Sequence, residues 1–360
     1  MIGIAEPQLG GEELEAVSSV LHSGMLAQGP KVAEFEEAFA AYIGCEHAVA
    51  VNSGTAALHC ALLAHGIGKG DEVITTPFSF IASGNSILYT GAMPVFADIE
   101  TETYTLDPEK IREKISPKTK AIMPVHLYGH PAGMKEILEL AEDYGLAVIE
   151  DACQAHGAEY RGKKAGSFGT GTFSFYPTKN MTTGEGGMLT TGDREVAEKA
   201  RLIREHGSKV RYLHEILGYN LRMTDIAAAI GIVQLGKLDN FNARRRKNAE
   251  FLSGKLAGLA GIRTPTVKEG CTHVFHQYTI SVKERDRLAE FLGNEGIGSG
   301  VHYPKTIPGQ PLYESLGYTD MVPKAEKAAK EVLSLPVHPG LSEKDLKQIS
   351  EAVRNFFNDN

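Results

Sequence analysis

Apolar and polar positions in the first half of the chain switch repeatedly between the 3.6-residue period of a helix and short unbroken apolar runs. Residues 12–22 and 31–43 carry apolar side chains at helical spacing, and Gly44 stops the second of these helices. His47-Ala48-Val49-Ala50-Val51 is a run of the buried-strand type. It is followed by Asn52-Ser53-Gly54-Thr55 and a helix over 56–65. The pattern then predicts strands over 72–75, 93–97, 121–125 and 146–150, with helices over 80–89 and 134–144 between them. Such alternation predicts an α/β fold with a mostly parallel sheet covered by helices on both faces.

In sheets of this kind chemistry collects just beyond the carboxyl ends of the strands. Ser53-Gly54-Thr55 stands at one such end, where glycine permits close approach and the first N–H groups of a helix favour an anion. The plainer alternative is a helix cap. Asp151 closes the apolar strand Ala147-Val148-Ile149 and should be desolvated unless something pairs with it. A cap or a local salt bridge is the competing explanation. Glu150 alternates to the opposite face. His126 and His156 fit either a structural or a functional role.

Thr172-Phe173-Ser174-Phe175 alternates as a short strand, and Tyr176-Pro177-Thr178 breaks it. Lys179 stands at the break, with Gly184, Gly186 and Gly187 where backbone must bend or pass close to something. Such a lysine is either a surface residue or a nucleophile that forms a Schiff base with a carbonyl.

Farther on, 194–206 reads as a helix, and Gly218-Tyr219-Asn220 leads to a small-residue helix over 226–238. Ile226, Ile230 and Val233 share one face of it, as core or subunit contact. Arg244-Arg245-Arg246-Lys247 on the following helix reads as a solvated face. A smaller α/β unit then begins, with a strand over 275–282 and helices over 285–293 and 342–357. The expected division is a large domain of 1–245 and a small one of 246–360. His273 and His276 flank a strand with no third ligand and read as structural, so no metal site is expected. His302-Tyr303 follows a strand over 298–301 and is placed to reach a cleft from the small domain.

Bulk properties narrow the function. The chain has 360 residues, 42% hydrophobic and 23% charged, which suits a globular protein of two domains. Its net charge of -8 is mixed along the chain, with no basic stripe for nucleic acid. Apolar runs fall short of a membrane span, no leader pattern opens the sequence, and a cytoplasmic enzyme is expected. The four cysteines lack metal or disulfide spacing.

A phosphate cradle at Ser53, Gly54 and Thr55, aromatic residues at Phe78 and Phe80, the carboxylate Asp151 and Lys179 together suit one ligand. That ligand has a phosphate, a flat ring with a basic nitrogen, and an aldehyde: pyridoxal 5′-phosphate (PLP). The segments VNSGTAALHCAL, TTPFSFIAS, VIEDACQAHGA, GTFSFYPTKNMTTGEGGML and GYNLRMTDIAAAIGIVQL resemble, in order and spacing, the DegT/DnrJ/EryC1/StrS family of sugar aminotransferases. The resemblance implies the three-layer PLP-dependent transferase fold type I, with a large domain of mixed, mostly parallel sheet and a smaller C-terminal α/β domain.

It further implies that Lys179 carries the cofactor as a Schiff base, Asp151 pairs with its ring nitrogen, and Phe80 stacks on the ring. Gln154 would meet the phenolic oxygen, and Ser53, Gly54, Thr55 and Ser174 the phosphate. Asn220 matches a residue donated by the partner subunit of a homodimer with shared sites. Met25, Gln28, His302 and Tyr303 are candidate substrate contacts. Relatives that dehydrate sugars have histidine at the position of Lys179. Those acting on 3-oxo sugars typically have aspartate where this chain has Ala56. The resemblance therefore implies transfer of the amino group of L-glutamate to a nucleotide-linked 4-oxo-6-deoxy sugar. A 3-oxo sugar or aminocyclitol substrate is the near alternative, and a non-catalytic regulator of the same fold the distant one.

Overall fold

A computed structural model describes residues 1–358. Seven strands form the main sheet: β1 (His47–Val51), β2 (Glu72–Thr75), β3 (Met93–Phe96), β4 (Thr119–Met123), β5 (Ala147–Asp151), β6 (Thr170–Ser174) and β7 (Gly187–Thr191). Their order across the sheet is β1-β7-β6-β5-β4-β2-β3. β7 runs antiparallel to both neighbours, and the other pairs are parallel. The predicted strands recur to within a residue or two. The segments 48–51, 121–123 and 147–149 of β1, β4 and β5 are unbroken apolar stretches because helices cover both faces.

On one face Phe35 and Phe39 of the helix Pro30–Ile43 pack against Phe173 and Phe175. On the other, the helices Gly54–Ala64 and Arg194–Arg204 bury Leu58, Leu62, Val196 and Ile203. Alternation along β5 and β6 sends Phe173 to the first face and Ile149 to the second.

Several expectations change here. The helix expected to stop near 238 is one helix, Asp225–Leu256, and the division at 245/246 falls inside it. Its first half packs on the large domain through Ala228 and Leu238, and its last turns join the small domain through Ala249, Leu252 and Leu256. Because it is covered from two directions, Arg245 is buried rather than solvated, while Arg244, Arg246 and Lys247 are exposed. Ile226, Ile230 and Val233 lie half-buried beside a core face of Ala228, Ala229, Gly231 and Gln234. At Gly231 a Cβ would come within 2.6 Å of the Phe35 ring, so the helices touch there through backbone. Asp225 fixes the crossing, its buried carboxylate accepting the amides of Gly29 (2.8 Å), Lys31 (3.2 Å) and Val32 (3.0 Å) at the start of the helix Pro30–Ile43.

The small domain is a three-stranded antiparallel sheet, β8 (Ile262–Arg263), β9 (Tyr278–Val282) and β10 (Val332–Leu335), in the order β8-β9-β10. The helices Arg285–Asn294 and Glu343–Asn358 cover it. The strand expected over 298–301 reduces to one bridge between Gly300 and Ser334. No helix among the described residues is long and apolar enough to cross a membrane.

Candidate active site

The carboxyl ends of β1, β5 and β6 open on one pocket of about 460 Å³, to which the small domain contributes His276, Gln277, His302 and Tyr303. Ser53 caps the helix Gly54–Ala64, its Oγ accepting the amide of Ala56 at 3.1 Å. The cap explanation is therefore correct for its side chain, yet it leaves the Gly54 and Thr55 N–H groups facing the pocket without helix partners. A Cβ on Gly54 would lie 2.5 Å from Ser174 Cβ and 3.0 Å from its Oγ, so only glycine lets the helix start lie against β6. Gly187 serves the same approach from β7, where a Cβ would meet Ser53 O at 2.2 Å. Gly184 takes φ 82°, in the left-handed region.

Asp151 and Glu150 leave β5 in opposite directions, as the alternation requires. Asp151 Oδ2 accepts the Ser83 hydroxyl at 2.7 Å and Oδ1 the Cys153 amide at 3.2 Å, and the carboxylate borders the pocket. Ser83 is linked in turn to Ser79 at 3.0 Å. Behind the sheet, Glu150 Oε2 meets His126 Nε2 at 3.0 Å and accepts the Gly166 amide at 2.8 Å. Its Oε1 accepts the amides of Phe168 at 2.8 Å and Gly169 at 2.9 Å. Since His126 Nδ1 accepts the Ala132 amide at 3.0 Å, the imidazole proton sits on Nε2 toward Glu150. His126 is thereby structural. So is His156, buried against Phe173 and Phe175.

Lys179 is half-buried at the pocket floor, and its ammonium has no hydrogen-bond or ion-pair partner among the described residues. Burial lowers its pKa, against the opposing pull of Cys153 and Asp151. The surface alternative for this lysine is thus excluded. Burial and then Lys179 lower the pKa of His302 to about 4, and burial and then Asp151 raise that of the Cys153 thiol well above its usual value.

Gln154 accepts the Tyr128 amide at 2.8 Å and donates to Tyr303 Oη at 3.2 Å. Phe80 is 55% exposed, its ring centroid 6.2 Å from that of Tyr303. It precedes the helix Ala82–Tyr89 rather than opening it, so its ring turns over the pocket.

Ser53, Gly54, Thr55, Phe80, Asp151, Gln154, Ser174, Lys179, His302 and Tyr303 all line this pocket. Met25, Gln28 and Asn220 do not. Met25 and Asn220 are exposed and Gln28 is half-buried, outside the pocket lining. Ser83, Tyr176, Thr178, Glu185, His276 and Gln277 line it without having been singled out for it. Only Ser83 carried a usable signal, four residues after Ser79 on a helical turn.

The donors fit pyridoxal phosphate. Two N–H groups at a helix start with the Thr55 and Ser174 hydroxyls suit a dianion, a carboxylate suits a protonated ring nitrogen, and an unpaired lysine of depressed pKa suits an aldehyde.

Known proteins agree with that fit. A model of the DegT/DnrJ/EryC1/StrS aminotransferase family matches residues 7–354. The chain is 45% identical over 363 residues to GDP-perosamine synthase of Caulobacter vibrioides, covering 98% of this chain and 97% of that protein. It is 43% identical to dTDP-3-amino-3,4,6-trideoxy-alpha-D-glucose transaminase of Streptomyces venezuelae, covering 98% of this chain and 94% of that protein. The crystal structure of S. venezuelae DesV in complex with a ketimine intermediate superposes with a TM-score of 0.94 at 42% identity, over 96% of this chain and 94% of the other.

Proposed function

Since the chain belongs to the DegT/DnrJ/EryC1/StrS aminotransferase family, and so is a PLP-dependent sugar aminotransferase, we propose that it moves the amino group of L-glutamate to a nucleotide-linked 4-oxo-6-deoxy sugar. The products are 2-oxoglutarate and a nucleotide-linked 4-amino sugar for a polysaccharide or glycan. The observation that carries the reading is the convergence of Lys179, Asp151 and the Gly54 helix start on one pocket.

Bound PLP supplies an aldehyde for the amine and a ring that withdraws electrons from the adjoining carbon. Each residue then has a distinct task. Lys179 holds the cofactor between turnovers; once released it moves the proton at the amino carbon, for which an amine of depressed pKa is suited. Asp151, oriented by Ser83 and the Cys153 amide, keeps the ring nitrogen protonated. Gly54, Thr55 and Ser174 hold the phosphate, with Ser53 fixing the helix start. Phe80 covers the ring, and Gln154 meets its phenolic oxygen. His302 and Tyr303 face the sugar. The enzyme works in the cytoplasm as a homodimer in which Asn220 of each subunit completes the other's phosphate site. The exposed apolar side chains of Tyr212 (81%) and Leu217 (82%) support such an interface.

Amination at C-4 is supported by Ala56 in Gly54-Thr55-Ala56-Ala57-Leu58 and by the likeness to GDP-perosamine synthase. Amination at C-3 is the second reading, supported by the likeness to the 3-amino sugar transaminase. Ala56 packs with Val51, Ala57 and Leu221 rather than against the pocket, so its influence passes through the segment that carries Asn220. The purified enzyme, given glutamate and UDP-, dTDP- and GDP-linked 3-oxo and 4-oxo sugars, is expected to release 2-oxoglutarate with a 4-oxo substrate. Turnover of 3-oxo sugars alone would establish the second reading.

A further inference from the structure

The pocket must accept two different molecules in turn, an amino acid and a sugar, yet Lys179 is the one cationic side chain that lines it among the described residues. A carboxylate entering beside the cofactor therefore needs a neutral donor from this subunit. His276 meets that need. It sits on the loop entering β9, is 6% exposed, and lines the pocket with Lys179.

Its backbone is fixed from two sides. Arg245, itself 5% exposed, donates Nη1 to the carbonyls of Phe275 (3.2 Å) and His276 (3.3 Å). The amides of Val274 and Gln277 donate to the carbonyls of Gly129 (3.0 Å) and Tyr128 (3.2 Å). Burial, then the Lys179 and Arg245 cations, hold the His276 pKa well below the usual histidine range, so the ring is neutral and carries one proton. Its Nδ1 is buried without a hydrogen-bond partner among the described residues. A proton there would be a buried donor with nothing to accept it, so the proton belongs on Nε2, the nitrogen that keeps contact with the pocket.

We propose that His276 donates its Nε2 hydrogen to the α-carboxylate of the amino-acid amino donor. This rests on the transaminase reading above. An amino acid whose amine took the place of the Lys179 amine would carry its α-carboxylate one carbon away, and His276 lines the same pocket close enough to Lys179 to feel its charge. His302 is more exposed, and its Nδ1 is engaged with Ser334 Oγ at 3.0 Å, which leaves it to the larger sugar substrate. Arg245 is the positioning residue for His276.

The test separates the two half-reactions on the holoenzyme. L-Glutamate alone bleaches the cofactor's visible band, and the sugar substrate restores it. His276→Leu is expected to raise the glutamate concentration for half-bleaching about 10- to 100-fold, the worth of one hydrogen bond to a charged group. The sugar concentration for half-restoration should change less than about twofold. His276→Gln, whose amide nitrogen falls near the imidazole Nε2, should recover most of the loss. Glutarate, which binds without reacting, should bind more weakly to His276→Leu by calorimetry.

If the leucine variant fails to fold, His276→Asn carries the test, since its amide sits at the Nδ1 position and should behave as a loss. An unchanged glutamate requirement in the folded variant overturns the proposal, and so does an equal or larger effect on the sugar. Failure of wild-type enzyme to bleach with glutamate would instead overturn the amino-donor assignment.

Discussion

Two carboxylates stand next to each other on β5 and do opposite work. Glu150 points behind the sheet and has its oxygens filled by three backbone amides and His126. Asp151 points to the pocket, where one hydroxyl and one amide orient it and the open side is left for a ligand. Both are buried. The difference between them lies in how completely the protein itself satisfies the charge. A carboxylate whose partners are all internal organises the fold, and one with an unfilled side organises chemistry.

That contrast breaks if the two residues respond alike to mutation. Asp151→Ala is expected to lower turnover about a thousandfold, roughly 4 kcal/mol of transition-state stabilisation, with the melting temperature of the apoenzyme nearly unchanged. Steady-state kinetics beside calorimetry checks it. Glu150→Gln should do the reverse, costing about 3 kcal/mol of stability because an amide NH₂ would face groups that now donate to an anion. The folded fraction should retain near-normal turnover per bound cofactor, measured by denaturant titration and active-site counting.

Alternation along β5 and β6 made the two faces legible in the sequence: a period of two separates Glu150 from Asp151 and Phe173 from Ser174. The strand-end turns were legible for the same reason, since glycine and proline punctuate them. What those side chains touch was not. Ser83 is 68 positions from Asp151, and the amides that bind Glu150 come from a loop 16 to 19 residues later. No local period encodes such pairings. Arg245 looked solvated because its neighbours on the helix are, but the small domain covers that one turn from outside. His276 looked structural because only tertiary packing brings the β9 loop beside Lys179.

Smaller effects sharpen the comparison on the pocket side. Gly54→Ala would press a Cβ to 2.5 Å from Ser174 Cβ and should weaken cofactor binding about tenfold, or about 1.4 kcal/mol, by fluorescence titration of the apoenzyme. The smallest concerns pH. Burial lowers the Lys179 pKa in the folded apoenzyme, whereas in the unfolded chain it is about 10.4. Between the two values the unfolded state holds more protons, so the stability tied to this group rises as pH climbs through that window and is reduced below it. Lys179→Met should therefore be more stable than wild type near neutral pH, with the gap closing as the pH approaches about 10.4. A gap that widens with pH would contradict the half-buried, unpaired lysine.

The most direct measurement is to reduce the yellow holoenzyme with borohydride, digest it, and locate the modified lysine by mass spectrometry. The pyridoxyl group is expected on the peptide containing Lys179, with none trapped in Lys179→Ala. Label on another lysine, or label that persists in that variant, would contradict the assignment of this pocket as the catalytic centre.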